Sequence, residues 1–135
     1  MSSRPSRTTM IKIITLLKRK PGMTLEDFIA YYESHHRLIG EKVLKPHAIR
    51  YVRRYLQPQP NRVGVLVEPD HDVLMEIWFP DQAAADAATA AIAAHGAEIA
   101  EDEKKLFDRS KLRSFTVLEY ESDMSADERA ASSMS

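Results

Sequence analysis

Two stretches in the middle of the chain alternate with a period of two, and their patterning limits the possible folds. In residues 72–79, Val73, Met75, Ile77 and Phe79 fall on one side and Asp72, Leu74, Glu76 and Trp78 on the other. In residues 48–57, Ile49, Tyr51, Arg53 and Tyr55 oppose Arg50, Val52, Arg54 and Leu56. Strict alternation marks β-strands. The second stretch has no purely apolar side, and the mixed side of the first carries Leu and Trp beside its carboxylates. Both faces of such a sheet need cover, and one of them meets something other than plain hydrocarbon.

The rest of the chain supplies the partners. Residues 10–18 are rich in Ile and Leu and read as a buried first strand, punctuated by Pro21-Gly22. Thr24 is a good helix N-cap, with Asp27 as an approximate capping-box partner. A helix follows over residues 25–44, with Leu25, Phe28, Tyr32 and Ile39 on its core stripe. Residues 57–71 form a long connection whose centre, 63–67, is expected to add a short strand. Asp81 caps an alanine-rich second helix, Gly96 interrupts it, a further helix covers 97–107, and a fourth strand covers 113–120. The order β-α-β-β-α-β predicts an α+β, ferredoxin-like fold with an antiparallel four-stranded sheet and helices on one face. Pairing two such sheets across a two-fold axis covers the open face, so a homodimer is expected. The expected domain spans residues 10–121, between flexible segments 1–9 and 122–135.

The chain has 135 residues, 44% apolar and 29% charged, which suits one globular domain. Nineteen basic and twenty acidic residues give a net charge of −1, so no global charge surplus points to nucleic acid or an anionic membrane. Absence of cysteine excludes disulfides and thiol chemistry and fits a cytoplasmic location. No run approaches the roughly 20 apolar residues of a membrane span.

Chemistry concentrates in Tyr31-Tyr32-Glu33-Ser34-His35-His36. On an α-helix Tyr32 lies beside His36, and Tyr31 beside His35 on a face about 100° away. Histidine moves protons near neutral pH, and a phenol can orient it or donate to a developing enolate. The two faces compete for this role until the helix phase is known. Arg53, flanked by Tyr51 and Tyr55, suits a substrate carboxylate or enolate, and an ion pair with Glu76 across the sheet is compatible with that role. Glu76 suits a second acid/base or an orienter of a histidine, and Trp78 an aromatic wall. The five histidines show no i, i+4 pair and no metal-binding motif, and neither a glycine-rich phosphate loop nor a nucleophile elbow occurs. Neither a metal nor a cofactor is expected.

Three segments resemble the EthD-domain family within the dimeric α/β-barrel superfamily. They are residues 11–24 followed by Phe28, Tyr31, Tyr32 and His36; Glu76-Ile77-Trp78-Phe79; and Asp102-Glu103 with Phe107, Asp108 and Arg109. The resemblance spans roughly residues 10–120. It departs from the family where Arg37-Leu38 follows His36, since the family often has Pro two residues after the histidine. The resemblance implies a homodimeric barrel and a small organic ligand, but not one activity. Superfamily relatives include lactone isomerases, polyketide cyclases, decarboxylases and metal-free monooxygenases, and fold alone does not select among them.

The expected function is therefore a cofactor-independent lyase or isomerase acting on a small oxygenated cyclic or aromatic compound. Its catalytic candidates are His36, Tyr32 and Glu76. Arg53, Tyr51, Tyr55, Trp78 and His35 are the substrate-binding candidates, in a pocket walled by Trp78 and Tyr55. The alternatives are a non-catalytic small-molecule binder serving an oxygenase pathway and a cofactor-free monooxygenase.

Overall fold

The computed structural model describes residues 10–125. The expected segment 1–9 and most of the expected tail, 126–135, lie outside the described residues; 122–125 carry no regular secondary structure. Strands β1 (Ile11–Leu17), β2 (Arg50–Tyr55), β3 (Val73–Phe79) and β4 (Arg113–Thr116) form one antiparallel sheet in the order β2-β3-β1-β4. Helices α1 (Leu25–Tyr31), α2 (Arg37–Leu44), α3 (Gln82–Ala94) and α4 (Gly96–Glu103) complete the α+β fold. This is the ferredoxin-like arrangement that the alternation and element order predict.

Local chemistry explains the boundaries. The Thr24 side chain accepts a hydrogen bond from the Asp27 amide at 3.1 Å and starts α1. Asp81 does the same for α3, accepting from the Ala84 amide at 2.8 Å. In α3 the small Ala85 and Ala88 let the helix approach Leu44, Ile77 and Phe79 closely, and all five are buried. A second cluster gathers Leu17, Phe28, Tyr32, Val73, Leu106 and Phe107. Within it Phe28 meets Tyr32, Tyr55 and Phe107 edge to face at 5.9–6.3 Å. Asp72 enters β3 almost fully buried and is held by the Arg19 amide (2.9 Å) and the Arg19 guanidinium (2.8 Å).

Four expectations are corrected. The helix over 25–44 is interrupted by a π-helical turn, Tyr32–His36, between α1 and α2. The last helix ends at Glu103; residues 104–107 turn instead and dock on the extension of β1, with Lys20 donating to the Leu106 carbonyl at 2.8 Å. Residues 63–67 form no strand. Asn61 folds that stretch into a turn by accepting from the amides of Val63 and Val65 at 3.1 and 3.0 Å, and Gly64 supplies the positive φ of 80°. The fourth strand is four residues long because its pairing with β1 ends at Thr116.

Register settles the faces that alternation left open. Tyr51, Arg53 and Tyr55 lie opposite Ile77, Met75 and Val73, so they share the helix-covered face. Arg50, Val52 and Arg54 lie opposite Trp78, Glu76 and Leu74 on the open face, with Lys12, Ile14 and Leu16 beyond them on β1.

Candidate active site

The π-helical turn organises the covered face. On an α-helix, residues five apart point about 140° away from each other; a turn closed by i→i+5 bonds brings them together. Tyr31 and His36 are five apart, and both reach Asp102 on α4. The Tyr31 hydroxyl donates to Asp102 Oδ1 at 2.5 Å, and His36 Nδ1 lies 2.9 Å from Asp102 Oδ2. The His36 and Asp102 side chains are only 12% and 10% exposed, so this pair is largely shielded from solvent screening.

An ionised carboxylate only accepts, so the proton of this bond sits on His36 Nδ1. Burial pushes the Asp102 carboxyl up, but the hydrogen bonds from Tyr31 and His36, aided by the His36 and Lys105 charges, outweigh it and hold the carboxyl below its usual value. The same bond to Asp102, then burial, raises the Tyr31 phenol to about 12. Nε2 of His36 takes no hydrogen bond among the described residues, and none of their side-chain nitrogens or oxygens is both buried and unpartnered. Nε2 is thus the ring nitrogen that Asp102 does not engage. Phe107 and Tyr32 meet the imidazole edge to face at 5.2 and 5.1 Å and fix its plane.

The Tyr32/His36 face predicted from helix spacing is real as a ring contact but not as a hydrogen bond. Tyr32 is fully buried, and its hydroxyl pairs with the Tyr51 hydroxyl at 3.0 Å and donates to Met75 Sδ at 3.3 Å. Burial first, then Tyr51, pushes its phenol well above the usual value. Asp102, not Tyr32, orients His36. His35 is exposed, lies 2.7 Å from Ser34 Oγ through Nδ1, and stacks on Tyr31 with ring centres 4.6 Å apart.

Glu33, also on the π turn, gathers a second network. Arg53 donates to both of its oxygens at 2.8 and 2.7 Å, and Tyr55 donates to Oε2 at 2.5 Å. The Arg53 bond holds the Glu33 carboxyl below its usual value; burial and then Glu33 raise the Tyr55 phenol. Arg53 also lies over the Tyr51 ring at 4.9 Å. A surface cleft of about 210 Å³ opens beside Tyr51, lined also by Glu41, Leu44 and Lys45. Gly40 of α2 lies against the same tyrosine: a Cβ there would stand 2.9 Å from Tyr51 Oη.

The expected pocket walled by Tyr55 and Trp78 does not form, because the sheet separates them. The expected Arg53–Glu76 pair does not form either: Arg53 binds Glu33, while Glu76 on the open face takes Arg54 at 3.4 Å and the Trp78 indole N–H at 2.5 Å. Trp78 itself is sandwiched between Lys12 and Arg50, 4.2 and 4.4 Å from its ring centre. Glu76 and Trp78 thus stand apart from His36. Sequence reasoning missed Glu33, Tyr31 and Asp102 as partners. For Asp102 the available signal was its place in the acidic-aromatic segment before the last strand. Among the described residues no cluster of three or more His, Asp or Glu side chains is placed to hold a metal ion.

A family model for the EthD domain matches residues 20–110. No curated protein matches the sequence. Among solved structures, an EthD-like protein of Ralstonia eutropha JMP134 is 20% identical with a TM-score of 0.55, over 89% of this chain and 98% of that one. A NIPSNAP-like domain protein of Burkholderia xenovorans is 18% identical with a TM-score of 0.56, over 84% and 87%. A dimeric ferredoxin-like protein from an uncultured marine organism is 11% identical with a TM-score of 0.52, over 90% and 98%. At these identities the likeness shows a shared fold. The family match covers more than half of the sequence, and the chain belongs to the EthD domain family.

Proposed function

We propose that this protein is a cofactor-independent enzyme of the lyase or isomerase type, with His36 as its general acid/base. The observation that carries this reading is the His36–Asp102 dyad. With Nδ1–H held by an ionised carboxylate, Nε2 presents its lone pair outward, and the imidazolium formed on taking a proton is stabilised by Asp102. The substrate class is a small oxygenated cyclic or aromatic compound with an acidic C–H beside a carbonyl, such as a lactone or enolisable ketone. Nε2 removes that proton; its return at another carbon completes an isomerisation, and departure of a leaving group from the enolate completes an elimination. Two protomers pair through the open sheet face, a reading supported by the dimeric ferredoxin-like relative.

The test is proton exchange itself. A panel of lactones and cyclic ketones is incubated in D₂O with the wild-type protein or His36→Gln, and deuterium incorporation is followed by NMR. Exchange that falls by about 10² or more in a folded His36→Gln supports the acid/base role. Equal exchange in both proteins removes His36 from it.

The second reading is a small-molecule binder without chemistry. It is favoured by the packing between the π turn and the sheet, where Tyr32, Tyr51, Arg53 and Glu33 fill the space that a buried substrate would need. Native mass spectrometry distinguishes the two readings: a retained ligand that the wild type leaves unexchanged in D₂O supports the binder.

A further inference from the structure

The π-helical turn has one consequence that a regular helix lacks: it places two side chains on one carboxylate. Asp102 offers two oxygens, and each has its own donor, the Tyr31 hydroxyl on Oδ1 and the His36 ring on Oδ2. We propose that Tyr31 is a positioning residue, which fixes the Asp102 carboxylate so that the His36 ring stays in the tautomer with Nδ1–H inward and the Nε2 lone pair outward. The inference rests on the acid/base reading of His36 and names the part of that site that sets its geometry.

A carboxylate on a helix end can rotate about its terminal torsion, which is broad and roughly two-fold. One donor fixes an oxygen; two donors, one from the last residue of α1 and one from the end of the π turn, fix the plane. Tyr31 is itself held, since the His35 ring stacks on it with planes 9° apart. The groups that face the dyad are few. Tyr31 comes from the end of α1 and Tyr32 from the π turn, Lys105 from the segment after α4, and Phe107 closes the ring edge. Of these only Tyr31 donates a hydrogen bond to the carboxylate besides His36 itself. Free imidazole favours no inward proton, so the tautomer reports directly on how well Asp102 is held.

The test reads the ring nitrogens of His36 by ¹⁵N-edited NMR on the full chain, at a pH where the ring is neutral. The wild type should show the Nδ1–H form alone. Tyr31→Phe keeps the ring and its stack but removes the donor, and the Nε2–H form should appear beside it. Asp102→Asn should make the Nε2–H form a major species. Should Tyr31→Phe fail to fold, 3-fluorotyrosine at position 31 replaces it; its more acidic hydroxyl donates more strongly and must retain the single Nδ1–H form, with the His36 Nδ1 proton shifted from its wild-type position. A single unshifted Nδ1–H form in Tyr31→Phe, or in the fluorinated protein where that replaces it, overturns the positioning role while leaving the dyad intact. An unchanged ring in Asp102→Asn overturns the dyad, and with it the acid/base reading.

Discussion

The two faces of the sheet hold similar residue types in different ways. On the covered face, each charged or phenolic group has a named partner at close range: His36 and Tyr31 on Asp102, Arg53 and Tyr55 on Glu33, Tyr32 on Tyr51. On the open face, Lys12 and Arg50 lie over the Trp78 ring, Lys12 also pairs with Glu119 at 2.7 Å, and Glu76 takes Arg54 and the Trp78 indole N–H. The covered face therefore fixes single atoms, the feature on which the proposed chemistry rests, whereas the open face is the surface on which the proposed pairing rests. The dividing element is the sheet, one residue thick.

The largest expected effect tests the chemical side of that contrast. His36→Gln should lower proton exchange by about 10² or more while leaving the fold intact; a variant at Trp78 that equalled it would erase the distinction between the faces. Next comes the packing beneath the covered face. Phe28 is fully buried and meets three aromatic rings, so Phe28→Ala should cost about 3–5 kcal/mol in a denaturant titration. A smaller effect separates the carboxylate network from the core. Loss of the Tyr31 hydroxyl should cost roughly 1–2 kcal/mol.

That cost has a defined pH window. The phenol of Tyr31 is raised from 10.0 to about 12, so its contribution is complete below pH 10 and disappears as pH rises through about 12. The gap in Tm between wild type and Tyr31→Phe should close over that interval. Asp102 has the opposite sign: its carboxyl is lowered, so its contribution is present above 3.8 and fades as pH falls below that value. Asp102→Asn should therefore flatten the acid limb of the stability profile. The smallest effect belongs to the open face. The Arg54 side chain is 48% exposed, so Arg54→Ala should change stability by about 1 kcal/mol or less. A loss as large as that of Phe28→Ala would mean that the open face is an integral part of the core.

Much of this architecture was legible in the sequence because it rests on local patterns. The Ile- and Leu-rich run at 10–18, the alternation at 72–79, and the Thr24 and Asp81 caps each act within a few residues. What was illegible depends on distance or phase. Strand β2 has tyrosine and arginine on one side and arginine and valine on the other, so no rule of burial chose its inner face; only pairing with β3 did. Helix spacing put Tyr32 with His36 correctly as rings, but a π turn adds a residue that spacing by four cannot anticipate. Asp102 lies 66 residues from His36, and its acidic-aromatic segment, though a signal in itself, does not say which residue it pairs with.

Gly40 gives the molecule a property of another kind. It is the point where helix and sheet approach within less than a methyl group's clearance, since a Cβ there would lie 2.9–3.1 Å from the Tyr51 hydroxyl and ring carbons. A single added carbon at this position would have to displace a ring that is hydrogen-bonded to Tyr32 and stacked beneath Arg53. Gly40 is thus a spacer of fixed width, through which the backbone of one helix sets how closely it can lie against the Tyr51 ring.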